Sequence, residues 1–161
     1  MNSLQAGTVT VMMALVTAAC AADRLPEAEA CLITESRQVP ITLELAKTPD
    51  QRRNGLMART SLDDNSGMLF LYQTARDPDH GFWMYKTRIP LDIAYLDKDG
   101  TIGAIRQMAP CDSSRSADCP SYPAGVSFLS ALEMNQGFFD EHKVQVGDRL
   151  VVGEEACRNA D

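Results

Sequence analysis

Apolar and polar positions alternate along most of the chain with the period of strands, and two short stretches break into helical spacing. Val39-Pro40-Ile41-Thr42-Leu43-Glu44-Leu45-Ala46 has period two and predicts a strand burying Ile41, Leu43 and Leu45. Thr48-Pro49-Asp50-Gln51 follows with capping-box spacing and Pro at the first helical position, so a short helix is expected, ending around Gly55 to Ala58. Asp63, Asp64 and Asn65 mark a turn before Gly67. Gly67-Met68-Leu69-Phe70-Leu71-Tyr72 and Gly81-Phe82-Trp83-Met84 are nearly continuous apolar runs, as in strands buried on both faces. Leu91 to Leu96 and Thr101 to Ile105 flank Asp97-Lys98-Asp99-Gly100 as a hairpin. A long loop runs from Gln107 to Gly125. Ser127 to Met134 reads as a strand, Gln136 to His142 as a helical turn, and Arg149 to Val152 as the closing strand. The sum is an α+β domain: a compact, mainly antiparallel, curled or barrel-like sheet with one or two short helices.

The N-terminus follows another rule. Residues 1–22 carry no charged side chain, and Val9 to Ala19 is an apolar run of signal-peptide length, too short to span a bilayer. Residues 1–21 are therefore expected to be a signal peptide, followed by a polar spacer over 22–38 and one globular domain over 39–157. Thr17-Ala18-Ala19 before Cys20 has the form of a bacterial lipobox, which would lipidate Cys20, whereas Ala19-Cys20-Ala21 fits ordinary cleavage. The expected location is the periplasm or the cell envelope, with the membrane met only through such a lipid anchor.

Five cysteines agree with export. With Cys20 set aside, Cys31, Cys111, Cys119 and Cys157 form an even set with three connectivities. Cys111 and Cys119 share one polar loop that burial alone would not order, so a local bridge is expected there, leaving Cys31 to pair with Cys157. Zinc is disfavoured because neither CxxC spacing nor a nearby His accompanies them. The 22 acidic against 15 basic residues, a net charge of −7, argue against nucleic acid as a partner.

The residues become specific in six segments: Arg52-x-x-Gly55-Leu56-Met57-x-Arg59, Gly67-Met68-Leu69-Phe70, Phe82-Trp83-Met84, Ile89-Pro90-Leu91-Asp92-Ile93, Leu132-Glu133 with Gly137, and Gly147-Asp148. In this order and spacing they resemble the family known as domain of unknown function 192, over about residues 39–152. The resemblance implies a compact β-rich α+β fold, often exported, with no established activity or catalytic residue. The chain departs from the family pattern at Tyr85-Lys86-Thr87, where members commonly carry a basic residue and Asn.

Arg52, Arg59, Trp83, Met84, Asp92 and Glu133 cluster in these segments and are the candidate ligand-binding set. Strand alternation points Asp92 and Glu133 away from their apolar neighbours. A helix laid over them would let Arg52 and Arg59 clamp the carboxylates, either as structural ion pairs or around a ligand in a pocket between helix and sheet. Asp92 and Glu133 could alternatively act as the acid and base of a small hydrolase. Met57, Met68 and Met84 could hold a soft metal such as Cu(I), against the plainer reading of thioethers packed on aromatic rings. No G-x-S-x-G, G-x-G-x-x-G or Walker pattern occurs, so no cofactor is predicted. The expectation is an exported small-ligand-binding or accessory module without catalysis, its partner an unidentified small molecule or envelope protein.

Overall fold

The computed structural model describes residues 25–153 and 156–158. Its strands are β1 (Glu27–Ile33), β2 (Gln38–Ala46), β3 (Ser66–Arg76), β4 (Gly81–Trp83), β5 (Leu91–Leu96), β6 (Ile102–Met108), β7 (Ser121–Pro123), β8 (Phe128–Asn135) and β9 (Arg149–Val152), with helices α1 (Pro49–Asn54) and α2 (Phe138–His142). Seven strands form one sheet in the order β6-β5-β8-β3-β2-β1-β9, and β4 pairs with β7 separately. Only the β2–β3 pairing in the large sheet is parallel, because the connection through α1 returns the chain to the same end of the sheet.

The sheet curls until its edges touch at one end. Ile102 N–H donates to the Asp148 carbonyl (2.8 Å), and Leu150 N–H to that of Gly100 (2.9 Å). Gly100 serves both the hairpin and this seam: its φ is +80°, and a Cβ there would strike the Leu150 carbonyl. The result is a mostly antiparallel half-barrel with two short helices, as the alternation predicts.

Each face of the sheet has its own apolar layer. Val39, Ile41, Leu43, Leu69, Ala94, Leu96, Leu132 and Met134 point inward and are closed off by Phe138 and Phe139 of α2. Met68, Phe70, Ile93, Tyr95, Phe128 and Ala131 point outward, beneath Leu56 of the turn after α1 and Phe82 and Met84 of the β4 segment. The central strands therefore bury both faces, which explains their nearly unbroken apolar runs. Tyr95 ties the cover down by donating its hydroxyl to the Tyr122 carbonyl at 2.5 Å. The capping box forms: Thr48 Oγ1 accepts from Gln51 N–H (3.2 Å) and Gln51 Oε1 from Thr48 N–H (2.9 Å).

The N-terminal reading needs one correction. Residues 27–33, expected within the polar spacer, are strand β1, paired with both β2 and β9. Ala28, Ala30 and Leu32 alternate inward against Glu27 and Glu29, so the period is present, but Ala is a weak strand former and conceals it. The small side chains of Ala28 and Ala30 suit the tight inside of a curled sheet. Strand β7, within the expected long loop, is three residues long and too short to show a period. The expected signal peptide and Cys20 lie outside the described residues.

Both expected disulfides form. Cys31–Cys157 fastens β1 to the segment after β9, and Cys111–Cys119 closes the loop before β7. Two disulfides in a domain this small indicate an oxidising, extracytoplasmic compartment. No helix among the described residues is long and apolar enough to cross a membrane.

The bridges span sequence separations of 126 and 8 residues, so loop entropy makes them unequal. Replacing Cys31 and Cys157 together by Ala is expected to cost about 4 to 5 kcal/mol, and replacing Cys111 and Cys119 about 2 to 3 kcal/mol. Urea unfolding of the two double variants reads the difference.

Candidate functional site

The residues singled out by sequence do not meet at one point, and sheet alternation is the reason. On β5, Leu91, Ile93 and Tyr95 face the outer layer, so Asp92 faces the inner one with Ala94 and Leu96. On β8, Leu132 and Met134 face inward, so Glu133 faces outward. The register agrees, pairing Asp92 with Met134 and Glu133 with Ile93 and Met68. The two carboxylates thus lie on opposite faces and share no cleft. This corrects the hydrolase alternative, which needs both on one substrate.

Each carboxylate is sealed. Asp92, 2% exposed, accepts from the Gly137 N–H at 2.8 Å through Oδ2 and so caps the start of α2. Its other oxygen, Oδ1, is buried and has no partner among the described residues. Burial raises its pKa; the Gly137 hydrogen bond opposes the rise and the nearby Asp140 adds to it. Glu133, 4% exposed, makes no ion pair among the described residues, and burial pushes its pKa up to about 8. Its close neighbour across β3 is tight as well: a Cβ on Gly67 would strike the Met134 sulfur and the Glu133 carbonyl.

The arginines turn elsewhere. Arg59 Nη2 reaches both oxygens of Glu44 (2.7 and 2.8 Å), not Asp92 or Glu133. This pair stands on the outer side of β2, between a concavity of about 260 Å³ that includes Glu27 and Asp63 and another of about 460 Å³ that includes Asp50. Arg52 Nη1 donates to the Lys47 and Leu71 carbonyls (2.5 and 2.8 Å), joining α1 to the residue that follows β2 and to β3. The expected clamp on the carboxylates is therefore absent among the described residues.

Met68 and Met84 are fully buried in the outer layer beside Phe70 and Phe82, and Met57 is half-buried in the turn after α1. That surrounding matches sulfur-aromatic packing.

Arg52 and Trp83 do converge, on a concavity of about 340 Å³ between α1 and the sheet, where the helix-sheet reading expects a pocket. Trp83 is 44% exposed at its rim. Sequence reasoning missed other parts of its lining: Arg53 of α1, Tyr72 and Arg76 from β3, and His80 with Phe82 before and in β4. Part of the signal was available, since positions 68, 70 and 72 alternate along one strand face, but Arg76 lies beyond the apolar run and past an irregularity in the β3–β8 pairing. His80 is half-buried. Its ring packs edge-on against Tyr72 and Phe82, at centroid distances of 5.9 and 6.4 Å.

The arginines set the electrostatics here. The guanidinium carbons of Arg52 and Arg76 stand over the Tyr72 ring, 4.7 and 5.3 Å from its centroid. Burial raises the Tyr72 pKa, with Arg52 and Arg76 opposing. Burial and then Arg76 lower that of His80, against a smaller pull from Asp77. Arg76 Nη2 lies 3.1 Å from His80 Nδ1 and, as a guanidinium, must donate to it, which leaves the ring hydrogen of neutral His80 on Nε2. A fourth concavity, about 750 Å³, lies beside α2 and includes Asp64 and Glu141.

Glu133 makes a pH prediction. Its carboxyl binds a proton more tightly folded, at about 8, than unfolded, near 4.5, so the unfolded state carries fewer protons between those values. Its contribution to stability is complete below pH 4.5 and is lost as pH rises towards 8. Glu133→Gln, which keeps the neutral shape, is expected to remove this part of the slope and to raise Tm relative to wild type more at pH 8 than at pH 5. Equal Tm differences at the two pH values would refute a protonated Glu133.

No curated protein matches the sequence. Among solved structures, a transcription-regulator candidate from Sinorhizobium meliloti 1021 is 33% identical with a TM-score of 0.70, over 80% of this chain and 95% of its own. A protein of unknown function from Novosphingobium aromaticivorans DSM 12444 is 31% identical with a TM-score of 0.68, over 91% of this chain and 99% of its own. The DUF192 family model, described as uncharacterized ACR, matches residues 31–152, from within β1 to the last residue of β9. With all of the curled sheet except the first residues of β1 inside that match, the chain belongs to the uncharacterized DUF192 family.

Proposed function

We propose that the protein is an exported, non-catalytic module that binds a small ligand in the concavity between α1 and the sheet. The supporting observation is the convergence there of Arg52 and Trp83 with Tyr72, Arg76, His80 and Phe82, a few polar groups on an aromatic floor. The frame is rigid: Arg52 is fixed by two backbone carbonyls, and β4 is held by β7. The cell envelope or periplasm is its place of work, with the export signal within residues 1–21; where that signal ends before Cys20, Cys20 is the acceptor of a lipid anchor. Nucleic acid is not its partner; the net charge of −7 opposes phosphate, so the regulator description of the Sinorhizobium relative is not carried over.

A thermal-shift screen against a small-molecule library tests this reading. A ligand at a hundred times its Kd stabilises by about 2.7 kcal/mol, which for a domain of this size is about 5 to 10 °C in Tm. Hits are expected to lose their shift in Trp83→Ala and Arg76→Ala and to keep it in Arg59→Ala, whose side chain lines other concavities. Hits that keep their shift in both of the first two variants would place binding elsewhere.

A further inference from the structure

We infer that this concavity takes a small oxyanion carried on a flat aromatic ring, an aryl carboxylate or aryl phosphate. The inference rests on the binding reading above and names the ligand class for the same site.

Charge is the first argument. The chain carries 22 acidic residues, and each of the other three concavities described above includes carboxylates. This one is lined by three arginines, Arg52, Arg53 and Arg76, and by no Asp or Glu among the described residues. On a molecule that repels anions overall, its local sign is reversed. Glu133 lies beneath the floor near Tyr72, and as a neutral acid below pH 8 it does not cancel the guanidinium charge.

Hydrogen bonding is the second. Arg52 is held over Tyr72 by carbonyls, so its charge is placed in advance, and no carboxylate among the described residues pairs with it. Arg53 pairs with Asp50 at 2.9 Å, but both side chains are well exposed, and such pairs are weak. Arg76 Nε is buried and has no acceptor among the described residues. That nitrogen is closed off, so a ligand meets Arg76 through the part of its guanidinium that lines the concavity, and a charged oxygen is the acceptor that pairs with it best. With Nδ1 engaged by Arg76, His80 offers a second donor through Nε2. The site is thus rich in donors and poor in acceptors, the reverse of what a cation or a sugar requires.

Shape is the third. Tyr72, Phe82 and the half-exposed Trp83 present ring surface, and about 340 Å³ is near the lower end for ligand pockets, room for one or two rings.

Trp83 is the only tryptophan in the chain, so its emission reports on this site alone. The experiment titrates the full chain with phenyl phosphate, benzoate, benzyl alcohol and inorganic phosphate, following that emission and confirming affinities by calorimetry. At least one aryl anion is expected to saturate, about tenfold or more tighter than benzyl alcohol or inorganic phosphate, and to weaken with added salt. The tighter of phenyl phosphate and benzoate names the oxyanion. Arg76→Gln, which breaks no backbone contact, should weaken the aryl anion about tenfold and leave benzyl alcohol unchanged. Arg53→Gln, on the exposed rim, serves if that variant fails to fold. Benzyl alcohol binding as tightly as the anions overturns the anionic class and leaves the binding site standing. Inorganic phosphate binding as tightly as phenyl phosphate overturns the aromatic part. No saturable response to either aryl anion overturns the class outright, while the library screen on Trp83→Ala judges the site separately.

Discussion

Strands β3, β5 and β8 are buried on both faces, and almost everything else in the molecule answers to that constraint. A strand buried on both sides needs two apolar layers, and a single curled sheet supplies only the inner one. The outer layer must be covered by whatever the connections provide: the turn after α1, the β4–β7 ribbon and the loop stapled by Cys111–Cys119. These pieces are short. Because α1 has six residues and β4 three, the cover stops before the sheet does, and the remaining gap is the concavity edged by Trp83.

The same alternation governs the polar side chains. A one-residue step along a strand reverses the face, so Asp92 and Glu133, held on adjacent strands, are separated by the thickness of the sheet. Asp92 supplies a cap to α2 and keeps that helix over the inner layer. Glu133 has no such partner, and its desolvation is relieved by holding its proton. Burying an unpaired charge would cost far more, so a neutral acid is the stable form. Among the described residues, Arg52, Arg53 and Arg76 have side chains long enough to leave their own strand or helix and gather at the gap beside Tyr72 and His80.

The cover is also the part of the fold most dependent on cross-links. Cys111 N–H donates to the Thr87 carbonyl at 3.0 Å, so the staple at Cys111–Cys119 is anchored beside the β4 segment, and β7 starts two residues later. Tyr95 then joins β7 to β5, next to the edge strand of the sheet. A ligand resting on Phe82 and Trp83 would meet a surface held from beneath by hydrogen bonds and from the side by a covalent bond, which is the preorganisation that binding sites need.

The sequence by itself determined the strands from Val39 onward other than β7, the capping box at Thr48, the mainly antiparallel curled sheet and an even cysteine set with one local pair, since each depends on local period, local chemistry or parity. It did not reveal β1, whose inward residues are chiefly alanines, or β7, whose three residues carry no period. For the site, sequence reached Arg52 and Trp83 and grouped them with Arg59, Asp92 and Glu133 because all lie in one set of motifs. Only the tertiary structure decided which of these meet. Which face a strand residue takes follows from its neighbours, but which side chains share a face across strands follows from register and curl. Where an arginine ends up follows from the carbonyls and carboxylates that other segments bring within its reach.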